Sequence, residues 1–127
     1  MDIANIEAAP RELQIVNPTT HEPIGLTLTL LPSSDDRVRA AARRIQNERL
    51  ARRAVKVTAE QLEAQGAAML VAHISGWKWA EGVTFGGETL AFNEENVRKV
   101  LKKAWIRKQV DDATTDEASF FEGSPTS

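Results

Sequence analysis

Few side chains in this 127-residue chain are equipped for chemistry, and their spacing does not bring them together. Cysteine is absent, which excludes disulfides and thiol catalysis, and His21 and His73 are the only histidines. A zinc site would therefore have to recruit carboxylates from distant parts of the chain. His73 falls on an apolar helical face, and Ser75, two residues on, does not share that face in a helix. His73 accordingly reads as a satisfied core or interface histidine, not as the base of a nucleophilic pair. His21 sits in a polar connection. The consecutive acids Glu94 and Glu95, like Asp35 and Asp36, point in different directions on a helix, so neither pair is a ready carboxylate dyad. Each suits the positive end of a helix instead. GVTFGG, residues 82–87, lacks the lysine and hydroxyl that a Walker phosphate loop needs. These residues predict a protein that is not an enzyme and has neither cofactor nor metal.

Charge carries more information. The formal net charge is only -2, yet RVRAAARRIQNERLARRAVK, residues 37–56, has eight basic groups and one acid, and residues 111–127 have five acids and no basic group. Arg43, Arg44, Arg49, Arg52 and Arg53 form a candidate electrostatic surface. Successive arginines can neutralise phosphates. Here they spread around a regular helix instead of forming one stripe, and no zinc motif, helix-turn-helix signature or RNA-binding aromatic motif accompanies them. A solvated helix or an acidic protein partner is the preferred reading, and a basic nucleic-acid-binding module the alternative. No apolar run approaches the roughly 20 residues of a membrane span, and the first residues lack a secretory pattern, so a soluble, intracellular protein is expected.

The elements that position these groups are those of a single small α+β domain, with three or four helices and short antiparallel β elements. Residues 1–11 read as a flexible lead, 12–110 as the domain and 111–127 as an acidic, flexible tail. ELQIV predicts a strand. In IGLTLTL, Ile24, Leu26, Leu28 and Leu30 alternate with polar positions, the period of a half-buried antiparallel strand. Pro32 closes it, and SSDD offers caps for a helix from Arg37 to about Val57. Val38, Ala42 and Ile45 make one stripe of that helix, while Leu50, Ala54 and Val57 are rotated away from it, which implies a bend or a change of packing partner. Thr58 and Gln61 form a capping box for a second helix. Leu62, Gly66, Met69 and His73 share its face, Gly66 permits close helix approach, and Gly76 is the expected stop. The GG at 86–87 then predicts a reversal between two short strands around residues 83–92. Asn93 starts a last helix, buried through Val97, Val100, Leu101 and Ala104 and continuing to Val110.

The aromatic residues cluster late in the chain. Trp77 and Trp79 can share one face of a strand, with Leu90 and Phe92 on another. Trp79, Phe85 and Phe92 are candidate partner contacts, with Trp77, Met69 and Leu101 as supports beneath them. Phe120 and Phe121 give the acidic tail two apolar anchors for a partner groove.

Taken in order, IVNPTTHEPIGLTLTLLPSSDD before an Arg-rich helix, the central AHISGWKWAEGVTFGGETLAF, and NEENVRKVLKKAWIRKQVDDA resemble the tail assembly chaperones of long-tailed bacteriophages. The resemblance spans roughly residues 12–121 and rests on soft patterns, not on a catalytic signature. It implies an accessory protein of the host cytoplasm. Such a protein binds the tape-measure protein, protects its long hydrophobic helices, helps recruit tail-tube subunits and is absent from the mature virion. Self-association is compatible with it. It also implies that the acidic tail lies where related proteins are extended by translational frameshifting. A head-tail connector or minor tail component, which would stay in the particle, is the nearest alternative.

Overall fold

Alternating leucines in the second strand set the architecture. The computed structural model describes residues 3–51 and 57–121. It contains the strands β1 (Arg11–Val16), β2 (Pro23–Leu30) and β3 (Ile74–Trp79), and the helices α1 (Asp36–Ala51), α2 (Ala59–His73), α3 (Glu94–Leu101) and α4 (Ala104–Thr115). Short 3-10 turns lie at Ile3–Asn5 and Glu117–Phe121. This is an α+β domain with one antiparallel sheet in the order β1-β2-β3. No helix of the described residues is long and apolar enough to cross a membrane.

Leu26, Leu28 and Leu30 of the central strand point to one side and are almost completely buried, as a period of two requires. Leu13 lies opposite Leu28 on β1, and Trp77 opposite Leu28 on β3. The same core takes in Leu70 and Ile74, Val97, Val100 and Leu101 of α3, and Ile106, Val110 and Ala113 of α4. The opposite face is polar, and Lys78 reaches across β2 to Glu12 at 3.6 Å. A sheet covered on one side and wet on the other is the usual antiparallel solution.

At the end of β1 a side chain pairs with the strand's free edge. Gln109 on α4 accepts from the Val16 N–H and donates to the Val16 carbonyl, both at 2.9 Å, standing in for a neighbouring strand.

α1 packs on α2, outside the main core. The two helices run antiparallel. Leu31, before α1, exchanges bonds with His73 at the end of α2, and Arg49, near the end of α1, donates to Gln65 in the second turn of α2 at 2.8 Å. The buried stripe of α1 is Val38, Ala41 and Ile45; Ala41 replaces the expected Ala42, which faces solvent. At about 100° per residue, Leu50 lies roughly 150° around from that stripe, and it is exposed. The expected continuation of this helix to Val57, with Ala54, lies outside the described residues apart from its first part to Ala51 and Val57 itself, which is exposed before the cap. The capping box forms as expected, with Thr58 Oγ accepting from Gln61 N–H at 3.1 Å and Gln61 Oε1 accepting from Thr58 N–H at 3.0 Å.

Four expectations are corrected. α2 ends at His73, not near Gly76; the chain turns directly into β3, where Gly76 sits opposite Thr29. The strand pair expected at 83–92 is a single bridge, Phe85 with Glu88. The last helix breaks at Lys102–Lys103. On one continuous helix, Ile106, Val110 and Ala113 would lie roughly opposite Val97, Val100 and Leu101, and the break turns both sets toward one core. α4 then runs past Val110 to Thr115 and is followed by the turn that buries Phe120, so residues 111–121 are built into the fold. At the other terminus, Ala9 N–H donates to the Phe120 carbonyl at 3.0 Å and Ala8 packs on the core.

Candidate partner-binding surface

β3 places Trp77 and Trp79 two residues apart on its core-facing side, beside Leu28 and Leu26 of β2. The following loop folds back over them. Ala80 N–H donates to the Gly25 carbonyl at 2.7 Å, and Val83 N–H to the Ala80 carbonyl at 3.0 Å. Phe85 and Glu88 exchange both backbone bonds around Gly86 and Gly87, whose φ values of 60° and 84° are those of a type I′ turn. Leu90 buries itself beneath the loop. Asn93 then caps α3 by accepting from Asn96 N–H at 2.8 Å, while Asn96 Nδ2 donates to the Ala91 carbonyl at 2.8 Å, which holds Phe92 at the helix entrance.

The result is an aromatic ridge. Trp77 stands between Trp79 and Phe92, each ring centroid 5.5 Å away and each plane at 81°, the edge-to-face geometry that aromatic quadrupoles favour. The tryptophans and Phe85 are half-buried against the core, while Phe92 keeps 44% of its surface in solvent. Trp79 Nε1 is buried with no acceptor among the described residues, at a cost of about 1–3 kcal/mol.

The other expected site residues go elsewhere. Phe120, expected as a partner anchor, is 4% exposed and belongs to the protein's own core, whereas Phe121 beside it is 40% exposed. Arg43, Arg44 and Arg49 are exposed on α1, far from the ridge in sequence, and Arg49 is engaged with Gln65. Arg52 and Arg53 lie outside the described residues. Met69 is half-buried, and Leu101 is buried in the core.

His73 is a structural group. It is 7% exposed, and its Nδ1 lies 2.8 Å from the Leu31 carbonyl, which can only accept, so Nδ1 carries the proton. Leu31 N–H returns a bond to the His73 carbonyl at 2.6 Å. His21 is exposed in a tight loop at φ 61°, where Asn17 Oδ1 accepts from Thr19 and Thr20 N–H. Asp35 serves the start of α1: it accepts from the backbone and side chain of Arg37, and these bonds hold its carboxyl below the usual range. Glu94 begins α3 and pairs with Arg98 at 3.8 Å.

One feature was not expected from the sequence. A groove of about 440 Å³ runs between α2 and the α3–α4 corner. Its floor is Ala64, Ala67, Leu101 and Ala104, with Glu60 and Glu63 on one wall and Arg98, Lys102 and Arg107 on the other. Gly66 was expected to admit another helix; it admits the Arg107 side chain, since a Cβ there would sit 3.2 Å from Nη2. Arg107 also donates to the Glu63 carbonyl and faces its carboxylate at 3.5 Å. The alanines at 64 and 67, one helical turn apart, were the available signal. Comparison with protein-family models, curated proteins and solved structures finds no match to this chain.

Proposed function

We propose that this chain is a tail assembly chaperone of a long-tailed bacteriophage. In this reading it works in the host cytoplasm, binds the tape-measure protein, assists assembly of the tail-tube protein and leaves before the particle is finished. It acts by binding alone, with no chemical step, no cofactor and no nucleic acid. The ordered sequence resemblance supports this, and the observation that carries it in the fold is the Trp77–Trp79–Phe92 ridge, part core and part surface, at the entrance of α3. An extended helical client exposes apolar stripes until the tail tube encloses it. Rigid, half-supported aromatic rings are suited to cover such a stripe at low entropic cost. The groove along α2 suits the same client, because small floor residues let a helix approach closely and walls of opposite charge fix its orientation.

Co-expression with the cognate tape-measure protein tests this. The chain should raise the yield of soluble client, co-purify with it, and be missing from finished particles by mass spectrometry. Absence of client binding together with stoichiometric presence in particles would replace the proposal with a connector or minor tail role.

A further inference from the structure

We propose that the outer edge of β3 receives a short extended segment of another protein, which adds antiparallel as a further strand and sets an acidic residue opposite Lys78. Bonded and non-bonded residue pairs alternate along an antiparallel ladder. Ala80 N–H donates to the Gly25 carbonyl, so Thr27 with Lys78 and Thr29 with Gly76 are the next bonded pairs between β2 and β3. The bond from Leu31 N–H to the His73 carbonyl, beyond the bulge at Ser75, keeps the same phase. The backbone N–H and C=O groups of Trp77 and Trp79 therefore point away from β2, and no described residue bonds them. The indole N–H of Trp79 is a further donor without an acceptor at the same place. On β1, Gln109 takes the backbone groups of Val16. Among the described residues, no side chain does this for β3.

The edge selects its occupant. Backbone donors and acceptors in this spacing match an extended chain and not a helix, whose own groups are bonded internally. The bulge at Ser75 bounds the edge on one side and the turn at Glu81 on the other, so the added strand is short. Lys78 lies between the two tryptophans on the wet face, its side chain 79% exposed, with only the exposed Glu12 near it at 3.6 Å. An acid directly opposite complements it, and apolar residues flanking that acid fall on the face of Trp77 and Trp79. A second copy of β3 does not meet these conditions. Centred on Lys78 it opposes two ammonium groups, centred on Trp77 it sets Trp79 against the bulged Ser75, and centred on Trp79 it sets Trp77 against Glu81 in the turn. The inference does not rest on the tape-measure assignment.

NMR of the isotope-labelled full chain tests it. In the free protein the amides of Trp77 and Trp79 should exchange faster than those of Gly76 and Lys78, which bond β2. The probe is a synthetic peptide blocked at both ends, Thr-Thr-Val-Glu-Val-Thr-Thr, titrated to about 1 mM. It should shift the Trp77 and Trp79 amides and slow their exchange, leaving α2 in place. The valine N–H groups face β3 in this alignment, so N-methylation of both valines should abolish binding, whereas N-methylation of the glutamate should leave it. Lysine in place of the peptide glutamate should weaken binding about fivefold, and Lys78→Glu should invert that preference. No shift with the parent peptide, equal binding after valine N-methylation, or an unchanged preference in Lys78→Glu would overturn the proposal. So would shifts confined to the groove beside α2, or a free chain in which sedimentation finds a dimer and the Trp77 and Trp79 amides are already protected.

Discussion

The two halves of α2 carry the same apolar stripe and meet different fates. In the C-terminal half, Leu70 and His73 are buried, and His73 is tied to Leu31. In the N-terminal half, Leu62 continues that face at helical spacing, yet it is 53% exposed. Leu50 on the adjoining part of α1 is 58% exposed. The sheet gives the C-terminal half a floor, whereas α3 and α4 meet the N-terminal half only on the side of Glu63 and Gly66 and leave Leu62 without one. An amphipathic pattern announces a face that can be buried; only a second element decides whether it is.

The largest effects should fall on the floored side. Leu28→Ala, in the middle of β2, should lower stability by about 2–5 kcal/mol, whereas Leu62→Ala should stay within about 0.5 kcal/mol, as read by denaturant titration. Equal losses would put Leu62 in a core and remove the contrast. Trp77→Ala should cost about 2–3 kcal/mol, less than full burial would imply because the indole is half-buried, with part of the loss coming from its two edge-to-face contacts.

Much of this division was legible and some was not. The alternation of IGLTLTL and the reciprocal Thr58–Gln61 cap are local, and both appear as expected. Trp77 and Trp79 share a strand face as expected, but the start of β3 at Ile74 was hidden because ISG carries Ser75 and Gly76 and follows a helix without a break; its strand character comes from pairing with β2. The 83–92 segment shows the converse. Its glycine turn forms, but the flanking residues find no continuing partner, so pairing stops at one bridge. The break at Lys102–Lys103 was readable in principle from the half-turn offset between the two apolar sets. Phe120 looked like a tail residue because its surroundings are acidic and small, while its burial depends on α4 and the N-terminal segment. The groove beside α2 required knowing which helices meet.

Smaller effects sharpen the comparison. Gly25 has φ 93°, and a Cβ there would lie 2.7 Å from Val83 Cγ2, so Gly25→Ala should destabilise by about 1–3 kcal/mol and loosen the loop that supports the ridge. Amide exchange should then rise in residues 80–92 and leave α1 unaffected. The smallest effect is acid. The Arg37 bonds lower the Asp35 pKa in the fold, so its contribution is present above the unfolded carboxylate value and is lost as pH falls through the lowered one. Acid should fray the anchored start of α1, seen as faster exchange at Arg37 and Val38, before it touches the far end of the helix. Salt should weaken this response, because the pair is exposed.

Under the proposed function, one of these regions meets the tape-measure client. Affinity of purified chain for a segment of the cognate tape-measure protein, compared between Phe92→Glu and Leu62→Glu, tests that directly. Both side chains are exposed, but only Phe92 stands on the supported ridge. Phe92→Glu should weaken binding by about tenfold or more, while Leu62→Glu should bind as the parent does. Unchanged affinity for Phe92→Glu, or a loss confined to Leu62→Glu, would contradict the assignment of the ridge as the client-binding surface.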